Sequence, residues 1–577
     1  MLKTLKTLYS FHFKYKGWLF LSFFFITLIA FTSSVYPYFY QWFIDNVTKG
    51  NYAQLPYISA AFLLVVFVDN ILDFFIFFSY DKFVIRSLRD ATLKIFRHVQ
   101  NLDFAFHSEK STGALISAFK RGSGSFWNIS DVINDIYRIS LQFIVLFVSY
   151  WIVQPKYALV SVLLLIINAI AMRILIPLNI NKRVAYVEED DKVSGIITEN
   201  WLNYDTVKFF AQENKEFSNL KKQFKAWFKH LWGFSLTFRL LDVINTVINF
   251  TGYGIILALL LTDLKNGTIT LGQFILVLGF LGQFLSQMRS LFYRLRNVAK
   301  NYADIQKYFD LLKEEEKVKD PEQPKRLKKV EGKITFNHVS FSYKAGEKVL
   351  RDIDFEIKPG ESVAFVGRSG SGKTTITKLL LRFYDPQKGI ISIDNVDIRD
   401  ITKQNLRSLM GVVPQEPILF NNTISYNVGY GHPRATLKEI RRACKLANLD
   451  RFIDSLQDGY NTIVGERGIK LSGGQKQRLA IARMILSDPQ IIIFDEATSH
   501  LDSHSEKMIQ DAFWKVAMNR STIIIAHRLS TIQKADRIIV LDKGRIIETG
   551  THSELIRKKD GHYLKLWRLQ TEGLIDY

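Results

Sequence analysis

Residues 361–379 read ESVAFVGRSGSGKTTITKL: a short apolar run, a glycine-rich stretch, then a run with helical spacing. From Gly367 to Thr374 the order is glycine, four residues, glycine, lysine and a hydroxyl residue, which is the pattern of a phosphate-binding loop. Its chemistry follows from the residue types. The glycines let successive backbone N–H groups of Gly367, Arg368, Ser369, Gly370, Ser371 and Gly372 turn toward the phosphates at a helix N-terminus. Lys373 reaches the β- and γ-phosphates, Thr374 ligates magnesium, and Thr375 continues the helix that carries both. A bare match arises by chance, but a strand before the loop and a helix after it are the context in which the pattern means nucleotide binding.

Working outward, a second element of such a site stands at 491–496, where Ile491, Ile492, Ile493 and Phe494 precede Asp495 and Glu496. A strand ending in Asp495 would hold the metal, and Glu496 could polarise the attacking water. Alone, an apolar strand ending in two acids is common and usually only a strand end. Around these motifs, short β-branched runs (GKITFNHVSF, ESVAFVG, GIISID, IIIFDE, STIIIAH, RIIVL) alternate with helical stretches, predicting an α/β domain with a largely parallel core over 331–577. The preceding stretch 312–330 (LKEEEKVKDPEQPKRLKKV) is charged, holds two prolines and lacks periodicity, and is read as a linker.

The first 311 residues are a different material. The chain has 577 residues with 48% hydrophobic composition and 45 phenylalanines, yet 23% charged, so the average covers two unlike parts. Six stretches near 18–43, 56–80, 134–153, 157–178, 236–262 and 271–293 are apolar for about the 20 residues that a membrane helix needs. The joins after the first, third and fifth are short and carry only Lys49, Lys156 and Lys265. Those after the second and fourth run to about fifty residues and hold many Lys and Arg, among them Arg86, Arg89, Lys120, Arg121, Lys182, Arg183, Lys221 and Lys222. The positive-inside rule therefore places the long joins, the N-terminus and everything after residue 300 in the cytoplasm. It also accounts for the net charge of +21 without nucleic acid. Helical spacing persists through the long joins, so the membrane helices should continue into the cytoplasm. A turn or short crossing helix is expected near 103–115 and again near 199–210. The single cysteine, Cys444, excludes an internal disulfide and any cysteine-built metal site.

Residues 471–475, LSGGQ, lie upstream of the 491–496 strand, and here the sequence resembles the ATP-binding cassette family. The resemblance extends through the cassette. Tyr343 in VSFSY matches the aromatic that stacks on adenine, and Gln415 in VVPQEP matches the glutamine that contacts magnesium and faces the membrane domain. Gly465, Glu466 and Arg467 match a segment typical of exporters. Ser472, Gly473, Gly474 and Gln475 match the signature, in which Ser472 and Gly474 cap the γ-phosphate of an ATP held by an opposite cassette. Asp502 matches the D-loop aspartate and His527 the switch histidine. Each has a bland alternative: Tyr343 a core aromatic, His527 a satisfied buried histidine, Gln415 a surface residue. One departure is His500 where the family often has alanine. Six spans followed by one cassette match the exporter half-transporter pattern, implying a type I exporter fold.

The resemblance implies ATP and Mg2+ as cofactors, a second half-transporter as partner (homodimer favoured, heterodimer possible), contact with membrane lipids and a transported small molecule. It implies alternating access through two coupling crossings. A gated channel or regulator is the alternative; a soluble ATPase of the DNA-repair type is disfavoured by six spans. Stretches 96–122 and 203–213 resemble exporters of glutathione conjugates and metal–thiol species, the heavy-metal-tolerance group. That group's NFGQ-like motif is broken here, since Thr251 and Gly252 follow Asn249 and Phe250. A lipid, drug-like amphiphile, peptide or thiol conjugate is the expected cargo. Asp69 and Asp73, four apart in the second span, either face a cavity or pair with a basic residue such as Arg173 or Arg239. Gln283, Gln287, Asn245 and Asn249 either line a cavity or bond between helices. The short N-terminus lacks arginine, so no import leader is read and a prokaryotic plasma membrane is expected.

Overall fold

The computed structural model describes residues 2–110, 112–344, 346–465, 468–495, 503–525 and 532–571. The chain forms two compact units: Met1–Asn101 with Lys110–Glu315, and Leu102–Glu109 with Glu316–Tyr577.

The first unit is all helix: α1 (Leu2–His12), α2 (Lys16–Ser33), α3 (Tyr36–Thr48), α4 (Leu55–Asn101), then, after a segment belonging to the second unit, α6 (Thr112–Val153), α7 (Pro155–Leu202), α8 (Tyr204–Phe209), α9 (Glu213–Lys265) and α10 (Leu271–Asp310). The intervening helix α5 (Phe104–Glu109) packs with the second unit. Among the described residues, six stretches are long and apolar enough to cross a membrane. The 47 residues of α4 span about 70 Å against the roughly 30 Å of a bilayer core, so the helix runs far beyond it. The expected turns in the long joins are the short helices α5 and α8. The first span, expected as one helix over 18–43, is two: α2 stops at Ser33 and α3 restarts with Pro37 in its first turn, where a missing N–H costs nothing.

Tyr150, Tyr157, Phe280, Phe284, Ile256 and Leu260 form an apolar core shared by α6, α7, α9 and α10. At its edge the buried Asp263 accepts hydrogen bonds from Lys156 Nζ at 2.5 Å and from the Tyr157 hydroxyl. Asp69 and Asp73 are partnered, but neither by Arg173 nor by Arg239. Asp69 is 7% exposed and accepts from the Thr32 and Tyr36 hydroxyls, while Asp73 stands 4.0 Å from Arg138. Asp73 thus pairs with a basic residue, as one reading expects, but that residue is Arg138, because α2, α3 and α6, rather than α7 or α9, flank this face of α4. The amides bond between helices: Gln287 donates to Gln142 Oε1 at 2.6 Å, Gln283 to Ser33 O at 3.3 Å and Asn168 to Asn249 Oδ1 at 3.2 Å.

Among its described residues the second unit has ten strands: β1 (Ile334–Ser342), β2 (Lys348–Ile357), β3 (Ser362–Val366), β4 (Lys388–Ile393), β5 (Val396–Asp397), β6 (Met410–Val413), β7 (Ile491–Asp495), β8 (Ser521–Ile525), β9 (Arg537–Asp542) and β10 (Arg545–Gly550). A six-stranded sheet runs in the order β10-β9-β3-β8-β7-β6, parallel except for the β9–β10 edge pair. Continuous apolar strands belong in a sheet buried on both faces, and alternation delivers them there. Val363, Phe365, Ile491 and Ile493 join one core, while Ala364, Val366, Ile492 and Phe494 join the other. A four-stranded sheet, β2-β1-β4-β5, flanks it.

The stretch read as a linker is tied down within this unit. Arg382 donates to Lys319 O at 2.8 Å, Asn405 exchanges two bonds with Leu327, and Asp103 accepts from the N–H groups of Lys317 and Val318. Charge and proline content announced exposure, not freedom: the backbone finds fixed partners that composition does not reveal.

Candidate nucleotide site

The phosphate-binding loop joins β3 to a helix at Lys373–Leu380, as its spacing predicts. Two glycines are dictated by their surroundings. A Cβ on Gly367 would stand 2.2 Å from Leu541 O, and Gly372 has φ of 108° with its Cβ position 2.6 Å from Leu350 Cδ2. The loop is thereby seated against the end of β9. Lys373 is 6% exposed and its ammonium donates to Gly367 O at 2.6 Å and Arg368 O at 3.1 Å. Burial pushes its pKa down to about 8, with Asp495 pulling the other way. Arg368, Ser369, Gly370 and Thr374 are exposed, while Ser371 and Thr375 are buried. The Ser371 hydroxyl is buried with no hydrogen-bond partner among the described residues, an unsatisfied group of the kind that a bound phosphate oxygen satisfies.

Asp495 ends β7 and is level with Ile525 of β8, which is itself level with Phe365 of β3. At about 4.8 Å per strand, the backbone of Asp495 lies about 10 Å across the sheet from the strand that feeds the loop. Burial raises its carboxyl pKa against the pull of Lys378 and Lys373. Gln415, two residues past β6, is exposed. Together Thr374, Asp495 and Gln415 offer a hydroxyl, a carboxylate and an amide oxygen, a hard donor set that suits Mg2+.

Tyr343 directly follows β1. Its ring is 44% exposed and is held edge-on by Phe341 and Tyr384, with centroids at 5.0 Å and 5.2 Å, and its hydroxyl lies 3.2 Å from Thr375 Oγ1. A half-exposed aromatic held by T-shaped contacts can stack a purine on its exposed side. The signature opens a helix at Gly473–Ser487, and Ser472 is its N-cap: Ser472 Oγ accepts from Gln475 N at 3.3 Å, and Gln475 Oε1 accepts from Ser472 N at 2.9 Å. With an N–H bonded to its oxygen, the Ser472 hydroxyl keeps its own hydrogen to donate to an oxyanion. Ser472 and Gly473 are exposed, Gly474 is buried and Gln475 half-buried.

Glu496, Asp502 and His527 lie outside the described residues, as do Glu466, Arg467 and His500. Two residues that sequence reasoning passed over join the arrangement. Gln477, 3% exposed, donates to Pro414 O at 3.1 Å and so ties the signature helix to the Gln415 segment. Lys378, on the loop helix, holds its ammonium 5.6 Å from the centre of the Tyr343 ring. A glutamine in the second turn of the signature helix was the only hint of the first; nothing local marks the second.

In the helical unit, a cavity of about 380 Å³ is lined by Asp242, Asn245, Thr246, Arg289, Phe292 and Tyr293, among others.

Both units match known families. The family described as ABC transporter matches residues 350–499, and the ABC transporter transmembrane region matches 19–288. Heavy metal tolerance factor 1 of Caenorhabditis elegans is 34% identical over 498 residues, covering 84% of this chain and 61% of that protein. The human protein named iron-sulfur clusters transporter ABCB7, mitochondrial, is 37% identical over 498 residues, covering 85% and 66%. The chain thus spans about three fifths to two thirds of the length of these curated relatives. A solved structure of a bacterial Atm1-family ABC exporter with ATP bound superposes with a TM-score of 0.88 at 31% identity, over 96% of this chain and 98% of that one.

Proposed function

Since the chain belongs to the ATP-binding cassette exporters as a multi-pass membrane half-transporter with an ATPase domain, we propose that it works as a dimer that uses ATP to export a small molecule by alternating access. The observation that carries this is the pairing, in one chain, of a complete phosphate loop with a signature serine whose hydroxyl oxygen accepts the cap hydrogen bond and donates to no group among the described residues. The loop and the signature serve different nucleotides: Lys373, with Gly367 to Thr375, holds the phosphates of one ATP, and Ser472 and Gly474 close on the γ-phosphate held by the partner subunit. Thr374, Asp495 and Gln415 hold Mg2+, which when bound neutralises charge on the β- and γ-phosphates. Glu496 orients the attacking water, His527 and Asp502 complete the site across the dimer, and Tyr343 stacks the adenine. Six spans, the linker and the cassette divide at 311 and 331 in this reading. A ligand moves such a machine only through unequal affinity for its two states, and the phosphate clamped between cassettes supplies that inequality.

The cargo enters the membrane cavity. Asp242 lies about 35 Å from the Lys265 end of α9 and Arg289 about 27 Å from the Leu271 end of α10, which places both near the inner edge of a bilayer core. A carboxylate and a guanidinium in one cavity favour a polar, charged small molecule over a lipid tail. The relatives named for heavy metal tolerance and for iron–sulfur clusters support testing thiol and metal–thiol conjugates first. The cassettes lie on the side of the long basic joins. A mitochondrial name among the relatives gives the plasma membrane no support, so the membrane is assigned by immunolocalisation rather than by kinship.

Protein reconstituted in lipid should hydrolyse ATP and be stimulated by a member of a panel of oxidised glutathione, metal–thiol complexes, cationic drugs, peptides and lipids. Glu496→Gln should bind ATP without turnover. Full turnover by that variant, or by a protein that stays strictly monomeric in the bilayer, would overturn the proposal.

A further inference from the structure

We propose that Lys378 is a positioning residue that links the adenine-stacking ring of Tyr343 to the first cytoplasmic crossing through the ring of Phe104. The proposal rests on the reading of Tyr343 as the adenine platform and of Leu102–Glu109 as a coupling crossing.

The crossing belongs to the cassette's compact unit and its attachment is aromatic. Phe104 lies flat on Phe383, with centroids 4.7 Å apart and planes 7° from parallel, and Tyr384 meets it at 6.4 Å. Tyr384 in turn abuts Tyr343 edge-on at 5.2 Å. The Lys378 ammonium stands 5.6 Å from the centre of the Tyr343 ring and 5.6 Å from that of Phe104, within cation–π range of both. One cation thus serves two rings, one at the nucleotide and one on the crossing. Its stem rises from the helix that begins with Lys373 and Thr374, so the bridge is rooted in the phosphate loop itself. At the other end of the crossing's attachment, Asp103 accepts from the Val318 N–H at 3.1 Å and from that of Lys317, fixing the backbone from which Phe104 projects.

Physical consequence follows from the geometry. Tyr343 is held at its edges but 44% exposed, so a purine laid on it restricts the ring. A restricted ring holds the ammonium, and the held ammonium favours one placement of Phe104. Without the charge, both rings keep their apolar neighbours but lose the group they share. Among the described residues, occupancy at the nucleotide would then reach the crossing through Tyr384, which meets the Phe104 ring and hydrogen-bonds with Ser108.

The test is hydrogen exchange of the amides of residues 104–109 in the full chain, held in lipid nanodiscs. The Glu496→Gln background is used with saturating Mg-ATP, so that altered affinity does not enter. ATP should slow exchange in the parent. Lys378→Met, which preserves length and apolar stem, should cut that ATP-linked slowing by about tenfold, and Lys378→Arg should retain it. Phe104→Leu should cause the same loss, and the double variant should lose no more than either single one. Melting temperatures without nucleotide should match the parent in Lys378→Met and Lys378→Arg, which a merely structural role for Lys378 would not allow. Undiminished ATP-linked slowing in Lys378→Met, or strictly additive losses, overturns the bridge alone. A parent that shows no ATP-linked slowing overturns the coupling reading beneath it. If Lys378→Met does not fold, the comparison of Phe104→Leu with Phe104→Tyr decides: loss in the first with retention in the second supports the bridge, and equal loss overturns it.

Discussion

Nucleotide affinity should fall steeply as pH rises from 7 to 9.5, because the lysine that meets the phosphates is easier to deprotonate than an exposed one. Lys373 is 6% exposed, and burial brings its pKa down to about 8. The charged form binds the phosphates, so the fraction of free protein ready to bind is about nine tenths at pH 7 and about one tenth at pH 9, tenfold per unit beyond pKa. The apparent Kd for ATP should therefore rise about tenfold between those values, or about 1.4 kcal/mol. The sign for folding is separate. A lysine whose folded pKa lies below its unfolded value leaves the unfolded chain holding more protons between pH 8 and about 10.4, so this residue's contribution to stability improves over that window and is constant below it. The two effects run in opposite directions and can be told apart. Equilibrium binding of a fluorescent ATP analogue to the Glu496→Gln protein in nanodiscs measures the first, with Lys373→Arg as control, since arginine stays charged throughout. A Kd that does not change in the parent, or an equal rise in Lys373→Arg, would refute the assignment of the loss to this ammonium.

Ser472 has two separable roles: Ser472→Asp should keep the helix cap and the melting temperature yet lose at least about a hundredfold in ATPase rate through repulsion of the phosphate. Ser472→Ala should lose both activity and about 1 kcal/mol of stability by thermal melting. Gly372→Ala should lower ATP affinity and destabilise by about 1–3 kcal/mol, given a φ of 108° and a Cβ position 2.6 Å from Leu350 Cδ2; measured against Leu350→Ala alone, which carries its own cavity cost, the same glycine substitution should cost less because the clash is gone and the backbone strain remains. Lys156→Met leaves the buried Asp263 without its cation and should cost about 2 kcal/mol in detergent melts, whereas Lys156→Met with Asp263→Asn should recover most of it.

The nucleotide loop was legible because its requirements are local. Gly367, Gly372, Lys373 and Thr374 act through their own backbone and one helix start, so spacing in the chain is spacing in space. The same holds for Ser472 and Gln475, whose capping box is written three residues apart. β-branched strands alternating with helical stretches announced a largely parallel sheet, and six 20-residue apolar runs with lysine-rich long joins announced a membrane unit with extended helices. Hydropathy reports length and side, and these do not depend on which helix lies beside which.

Whatever depends on neighbours had to wait for the fold. Asp69 and Asp73 were rightly seen to share a helix face, but their partners Thr32, Tyr36 and Arg138 come from α2, α3 and α6, an adjacency no periodicity encodes. The stretch 312–330 looks unstructured by composition, yet its backbone is held by Arg382, Asn405 and Asp103 from distant parts of the chain. Lys378 is an ordinary lysine in sequence and takes its meaning only where the fold sets Tyr343 and Phe104, more than 200 residues apart, on either side of one ammonium. Sequence by itself determined the chemistry that short-range geometry carries: the phosphate cradle, the signature motif and the membrane runs. Tertiary structure alone decided which charges meet and which rings share a cation, because packing brings together residues whose separation along the chain says nothing of their distance.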